Sequence, residues 1–192
     1  MAKLKDYITI TGGQIINRVL ADEKKNDPVV DANRKTISAK TVDKGRIDDD
    51  NIVYNNYKSE LDEKKLTKEG DIIVKLSTPY CAAVIDKDHE GMLVASFCSI
   101  IRDIKGINKD YLVAFLNSNN CYNQLASSVA GSTMSILSNG KIMDLDIPVP
   151  AVETQVEIGE LFAKSVKRRI LIEKITKLEA EKLDVMFAKL GE

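Results

Sequence analysis

The sequence predicts an α+β protein: a globular body with a mixed β-sheet and short helices, followed by one long C-terminal amphipathic helix that pairs as a coiled coil. Two different periodicities, with a pair of prolines between them, predict this class. Up to about Asp146 short β-rich runs alternate with polar turns, whereas beyond Pro150 apolar residues recur every three or four positions. We therefore divide the chain into two domains, residues 1–150 and residues 151–192.

Within the body, strands are expected where β-branched runs end at glycine, proline or aspartate turns. The expected strands are 8–11, 35–39, 51–54, 72–76, 81–85 and 92–101. The segment 92–101 is long, mostly apolar and β-rich, so we expect it to lie at the centre of a sheet. Apolar residues at helical spacing predict two short helices, over 108–118 and 121–129.

The C-terminal helix is predicted from a proline-free segment after Pro148 and Pro150, which forbid a helix across themselves. At 1.5 Å per residue it would extend about 50 Å. Such a helix is too long to bury its apolar stripe on so small a body, so we expect a partner helix; the alternative is a helix folded back across its own sheet. The residues expected at the dimer contact are Ile158, Leu161, Phe162, Val166, Ile172, Ile175, Leu178 and Met186.

Composition restricts the class of protein. The 28 basic and 29 acidic residues leave a net charge of −1, which argues against a generally basic nucleic-acid binder without excluding one. The three cysteines form no C-x-x-C pair, which favours buried free thiols in a reducing compartment. The sequence shows no signal-peptide run and no stretch of ~20 apolar residues, so we expect a cytoplasmic protein with no membrane partner.

Catalytic motifs are missing from the sequence. It contains no phosphate-binding loop, dinucleotide fingerprint, nucleophile elbow or methyltransferase signature. Asp48, Asp49 and Asp50 could hold Mg²⁺, and His89 lies among acidic residues, but a solvated turn is favoured at both places. We therefore expect a protein that is not an enzyme and that uses no metal and no cofactor.

Several polar clusters suit DNA recognition better than catalysis. Cations and hydroxyls around turns favour phosphate contacts, and paired asparagines can read adenine. Each cluster alone is weak, because lysine-rich turns are usually solvated surface and Tyr80 beside Pro79 is as well explained by packing. The predicted DNA-binding residues are Lys40, Thr41, Lys44, Arg46, Asn55, Asn56, Lys75, Ser77, Thr78, Tyr80, Gly131, Ser132 and Thr133.

The sequence resembles the DNA specificity subunits of type I restriction–modification systems. The resemblance covers nearly the whole chain, and its most specific part is the proline step followed by the start of the long helix. Thr154 separates Glu153 from Gln155, which are more often adjacent in the family. The matching segments are 37–40, 45–48, 70–74, Gly131-Ser132-Thr133, Ile147-Pro148-Val149-Pro150 and Glu153-x-Gln155-x-x-Ile158.

The resemblance implies a target-recognition body that reads one half of a split DNA site through its loops, and a helix that sets the distance between half-sites. It also implies a DNA methyltransferase subunit as partner, with a restriction subunit as a further candidate. Family members usually carry two recognition domains and two helices, whereas this sequence has one of each. We therefore expect a half-length form that dimerises through its C-terminal helix and binds double-stranded DNA. The alternative is a protein-interaction or inhibitory half-subunit that assembles through the helix without reading DNA.

Overall fold

The computed structural model of the protein describes residues 2–129 and 136–190 and contains a β-rich body and one long helix, α5 (Val152–Leu190). This α+β architecture agrees with the prediction. The strands are β1 (Ala2–Lys3), β2 (Thr9–Gly12), β3 (Asp31–Ile37), β4 (Val42–Asp43), β5 (Arg46–Ile47), β6 (Val53–Tyr57), β7 (Ile72–Lys75), β8 (Ala82–Val84), β9 (Leu93–Val94), β10 (Cys98–Arg102) and β11 (Asp146–Ile147). The other helices are α1 (Ile16–Val19), α2 (Lys109–Leu116), α3 (Asn119–Val129) and α4 (Asn139–Met143).

A four-stranded antiparallel sheet, in the order β2-β10-β7-β8, forms the centre of the body. Side chains alternate between the two faces of a strand. Ile72 and Val74 therefore pack into one apolar cluster, whereas Ile73 between them packs into another. Because both faces of β7 are buried, its sequence is a continuous apolar run.

The two apolar clusters lie on opposite faces of the central sheet, and each is covered by different elements. The first lies under α2, α3 and α4, where Leu112, Cys121 and Ile142 are fully buried. The second lies between the sheet and the strands β3, β4 and β9, where Ile37 and Val94 are fully buried. The central sheet is therefore the middle layer of the body.

The segment 92–101, which was expected at the centre of a sheet, contributes strands to two different sheets. Its first part, β9, pairs in parallel with β3, in a second sheet of order β6-β3-β9. A turn closed by the Cys98 N–H donating to the Ala95 carbonyl (2.9 Å) then leads into β10 of the central sheet. Apolar character could not reveal this break, because both strands are buried.

A buried ion pair joins two neighbouring strands of the central sheet at one end. Arg102 Nε and Nη2 donate to the two carboxylate oxygens of Asp71 at 2.8 and 2.7 Å, and Asp71 is buried. Arg102 also donates to the carbonyl of Lys64. The guanidinium thereby ties the loop before β7 to the end of β10.

The start of α5 follows the proline step. β11 pairs with β1 at the N-terminus of the described chain, and residues 148–150 lead to the helix at Val152. Within the described ranges, no helix is both long enough and apolar enough to cross a membrane.

Candidate nucleic-acid interface and helix surface

One edge of the body collects several of the predicted DNA-binding residues. The Leu76 N–H donates to the Phe97 carbonyl (2.9 Å), and the Ala95 N–H donates to the Ile37 carbonyl (2.8 Å). These bonds bring together the ends of β7 and β3 and the turn between β9 and β10. We call this surface the polar edge, and it is made of Lys40, Lys75, Ser77, Thr78 and Phe97.

The polar edge offers cations, hydroxyls and one aromatic ring to solvent. Lys40 and Thr78 are exposed, and Lys75 and Ser77 are half-buried. Phe97 is 50% exposed, which is unusual for a phenylalanine and was not expected from the sequence, since it lies in the apolar run 92–101. The small residues Ala95 and Ser96 just before it were the available sign of a turn.

Two predicted contacts are not on the surface. Thr41 is fully buried, where its hydroxyl donates to the Asn51 carbonyl (3.0 Å) and accepts from the Ser38 N–H (3.1 Å). Tyr80 is only 4% exposed and packs against Tyr122 with ring centroids 5.9 Å apart. Burial raises the pKa of the Tyr80 phenol. Both residues therefore belong to the core rather than to a DNA-facing loop.

The two asparagines of β6 differ in what they contact. The Asn55 amide donates to Thr36 Oγ1 (3.3 Å) and Tyr57 Oη (3.2 Å), and those two hydroxyls are 2.6 Å apart. Asn55 is therefore part of an internal network, which leaves its amide group poorly placed to read a base. Asn56 is exposed, and its side-chain oxygen accepts from the Asn33 N–H (2.8 Å).

An exposed aromatic lies close to Asn56 and was not among the predicted contacts. Tyr54 is 55% exposed, and its partner across the β3–β6 ladder is the exposed Lys35. The strand pairing was needed to find this Tyr–Lys pair, because the two residues are 19 positions apart in the sequence.

Arg46 contacts the long helix instead of facing outward. Its guanidinium lies 3.1 Å from Asp43 Oδ2 and 2.7 Å from Glu173 Oε2 of α5. The neighbouring Lys44 keeps an exposed side chain. Arg46 is thus neutralised within the chain, which corrects its assignment as a phosphate contact. Gly131, Ser132 and Thr133 lie outside the described residues.

The cysteines and the histidine are buried. Cys81, Cys98 and Cys121 are free thiols, as predicted, and burial raises the pKa of Cys81 to about 11 and those of Cys98 and Cys121 to about 12. His89 is not in a solvated turn: its ring nitrogens lie 2.5 Å from Asp86 and 3.0 Å from Asp49. Among the described residues, no group of three or more acidic, histidine or cysteine side chains is arranged to hold a metal ion.

The first half of α5 is docked on the body. Gln155 is buried; its side-chain oxygen accepts from the Asn108 N–H and its amide donates to the Pro150 carbonyl, both at 2.8 Å. At Gly159, a Cβ would lie 2.8 Å from the Cβ of Asp110, so α2 and α5 approach closely. Phe162 packs against the first apolar cluster. This part of the helix uses its own body as its partner.

A different face of α5 is left without a partner in the described chain. At about 100° per residue, the docked residues Gln155, Gly159, Phe162, Val166 and Ile170 lie on one side of the helix, and a second apolar set is centred about 130° away. We call this second set the free stripe. It consists of Ile158, Leu161, Ile172, Ile175, Leu183 and Met186, which are 38–70% exposed.

The expected dimer residues are therefore divided between the two faces. Phe162 and Val166 face the body, which corrects their assignment to a dimer contact, because both lie against Gly45 of the β4–β5 turn. Ile158, Leu161, Ile172, Ile175 and Met186 lie on the free stripe, whereas the exposed Leu178 lies about 110° from its centre, outside both faces. The two faces also explain why the apolar residues of this helix do not follow one heptad.

The comparisons with known proteins agree with this architecture. A family model described as the type I restriction modification DNA specificity domain matches residues 1–182. No curated protein sequence matches the chain. The HsdS subunit from Thermoanaerobacter tengcongensis has a similar fold, with a TM-score of 0.55 and 15% identity, covering 91% of this chain and 39% of that one.

Two further solved structures are similar. One is described as the structural basis of complex assembly and conformational transition of the type I R-M system, with a TM-score of 0.59 and 17% identity, covering 95% of this chain and 47% of that one. The other is the S subunit of the type I system from M. genitalium, with a TM-score of 0.51 and 10% identity, covering 87% and 39%. The chain thus spans less than half the length of each. With its body, its long helix and a family match over residues 1–182, the chain belongs to the type I restriction–modification specificity subunits.

Proposed function

We propose that the protein is a non-catalytic subunit that reads a DNA sequence and directs a partner DNA adenine methyltransferase to it. Family membership implies DNA target recognition. In this proposal residues 1–150 read one half of a split target, and residues 151–192 set the spacing. A restriction subunit would join the same assembly. We place the protein in the cytoplasm, with the genomic DNA that it would read.

The observation that carries the proposal is the free stripe of α5. Leu161 is 70% exposed, and Ile172 and Ile175 are 51% and 55% exposed, so the helix presents an apolar stripe to water, interrupted by Ser165, Arg168 and Glu179. Burying one such side chain contributes about 1.5–3 kcal/mol. The stripe therefore favours a second helix, and we propose that it comes from a second copy of the chain. A two-fold pair reads the same half-site twice, so the target is an interrupted palindrome.

On the body, the polar edge is the proposed DNA contact. Lys40 and Lys75, with Lys44 on the neighbouring turn, would hold phosphates. Ser77, Thr78 and the exposed Asn56 would reach base edges, since hydroxyls and amides match the donors and acceptors of the major groove. Gly131, Ser132 and Thr133 stay predicted phosphate contacts.

The proposal is tested by sequencing the methylome of cells that express this chain together with its candidate methyltransferase. We expect methylated adenines in a split palindromic motif that appears only when both genes are present. An unmethylated genome, or a motif that is continuous or asymmetric, would contradict the proposal.

A second candidate function is an interaction or inhibitory half-subunit that assembles through α5 without reading DNA. The nearly balanced charge, 28 basic against 29 acidic residues, favours it. Sedimentation with and without duplex DNA separates the two functions. A dimer that captures the methyltransferase but binds no duplex at low salt would favour the second.

A further inference from the structure

The tip of the β4–β5 hairpin is seated on α5 by a close apolar contact. Gly45 has a φ of +81°, which favours glycine, and a Cβ there would lie 2.5 Å from Val166 Cγ2 and 3.0 Å from the Phe162 ring. A larger residue would thus force the hairpin away from the helix. This contact brings Asp43 of β4 and Arg46 of β5 beside the next turn of α5.

Four charged side chains surround this seat and join the two elements. Arg46 Nη2 lies 2.7 Å from Glu173 Oε2, and Arg169 Nη2 lies 3.1 Å from Asp43 Oδ2. Within the hairpin, Arg46 Nε is 3.1 Å from the same Asp43 oxygen. Arg169 also donates to the Lys44 carbonyl at 2.5 Å. We call Asp43, Arg46, Arg169 and Glu173 the hairpin clamp.

The clamp is built as a network rather than as separate surface pairs. The arginine side chains are 25% exposed for Arg46 and 33% for Arg169, whereas Asp43 and Glu173 are 36% and 47% exposed. Arg169 Nε is buried without a hydrogen-bond partner among the described residues and lies 3.8 Å from Glu173 Oε1, so Arg169 is held through its Nη2 atom. Isolated exposed ion pairs contribute little to stability, whereas shielded networks with hydrogen-bonded guanidinium groups contribute more. Each arginine of the clamp also lies beside a carboxylate of the clamp.

The clamp is the second of two attachment points of α5. The first is at Gln155 and Gly159, which lie against α2. From Gln155 to Glu173 the helix advances about 27 Å. A rod held at one point can pivot, whereas a rod held at two points this far apart has a set direction. Beyond Glu173, α5 makes no ion pair with the body among the described residues.

We propose that the hairpin clamp sets the direction of α5 relative to the body, and so determines the spacing between the two half-sites that a dimer reads. The inference rests on the proposed function. It makes Asp43, Arg46, Arg169 and Glu173 positioning residues that touch no DNA. Specificity for spacer length then depends on a contact made within one chain.

The part of α5 beyond Gly159 is long enough for a small change in helix direction to change the spacing between half-sites. From Gly159 to the end of α5 the helix extends about 46 Å. One base pair of DNA advances about 3.4 Å along the helix axis. A tilt of about 4° at Gly159 therefore moves the end of the rod by about one base pair.

The test compares two pairs of alanine substitutions in the full chain with its methyltransferase. Asp43→Ala with Arg46→Ala opens the clamp, because it removes one partner from each of the two ion pairs between the hairpin and α5. Glu160→Ala with Lys164→Ala removes a matched ion pair of 3.0 Å within α5 that does not touch the hairpin. In methylome sequencing, we expect the clamp variant to methylate the same half-sites with spacers that vary by about one base pair. The control keeps one spacer. Unchanged half-sites with one unchanged spacer in the clamp variant would overturn the inference.

A distance measurement separates failure of the clamp from failure of the proposed function. Spin labels at Lys24→Cys in the body and Glu181→Cys in α5 report the helix direction without DNA, in labelled chains diluted with unlabelled ones. We expect the distance distribution to broaden at least twofold in the clamp variant. It should stay narrow in the single variant Arg46→Lys, which keeps a cation beside Asp43 and Glu173. An unchanged distribution overturns the clamp, even if no split motif is ever methylated.

Discussion

The two halves of α5 differ in what they do with their apolar side chains. Residues 152–170 bury Gln155 and Gly159 against the body, whereas every described side chain from 171 to 189 is exposed. Both halves carry four basic residues and three glutamates among their apolar residues. The difference arises because the body contacts only one face of the helix and ends near Glu173. A helix with two separate apolar faces can thus pack against its own body along one half and remain available to a partner along the other.

The largest expected contrast is in thiol reactivity. The three native thiols are buried and the pKa of Cys81 is about 11, so at pH 8 its thiolate fraction is about 200-fold lower than that of an ordinary thiol. We expect the native chain to react slowly with Ellman's reagent and Glu181→Cys to add one fast thiol. Since the pKa values are raised, reactivity rises with pH. Fast reaction of all native thiols at pH 8 would show that the core is open.

The next expected effect is on stability, at the docked half. Gly159→Leu places a side chain at a position where an added Cβ alone would lie 2.8 Å from Asp110 Cβ. The free energy of unfolding should therefore fall by about 3 kcal/mol. The matched control is Glu160→Leu, one residue along and exposed, which should change it by less than about 0.5 kcal/mol. Urea titration followed by circular dichroism measures both. Equal effects would mean that the docked half does not pack as described.

In the projecting half the expected effect is on association. Ile172→Asp with Ile175→Asp puts charges on the free stripe, and losing two buried isoleucines should raise the dimer dissociation constant at least ~100-fold. Lys177→Ala, exposed on the other side of the helix, is the control. Analytical ultracentrifugation measures the association. A dimer that tolerates the two aspartates would place the contact elsewhere.

The smallest expected effect is on the salt dependence of DNA binding. If Lys75 on the polar edge contacts a phosphate, Lys75→Ala should reduce the slope of log affinity against log salt by about 1. Lys105→Ala, beyond the opposite end of β10, should leave the slope unchanged. Fluorescence anisotropy on a labelled duplex gives both slopes. The same slope in both variants would move the DNA contact away from the polar edge.

Local rules were sufficient for much of the fold. The prolines at 148 and 150 predicted where α5 begins, because they exclude helical backbone whatever surrounds them. The helices over 108–118 and 121–129 were predicted from spacing alone and were found at nearly those positions, as α2 and α3. The buried thiols followed from composition and context.

The candidate site depended on contacts that no local rule describes. Thr41 and Tyr80 are in polar, turn-rich sequence, yet both are buried, since other segments cover them. Arg46 looked like a free cation until Glu173, 127 positions later, was found beside it. Phe97 was hidden in an apolar run whose break is set by pairing with two different sheets.

By itself, therefore, the sequence determined the α+β class, the start and length of α5, and the presence of apolar residues that need burial. These depend on backbone preferences and spacing, which act over a few residues. Only the tertiary structure decided which face of α5 contacts the body and which face stays exposed. It also decided which cations, such as Arg46, form ion pairs within the chain. Those outcomes depend on contacts between residues that are far apart in the sequence, because such contacts determine which side chains are buried.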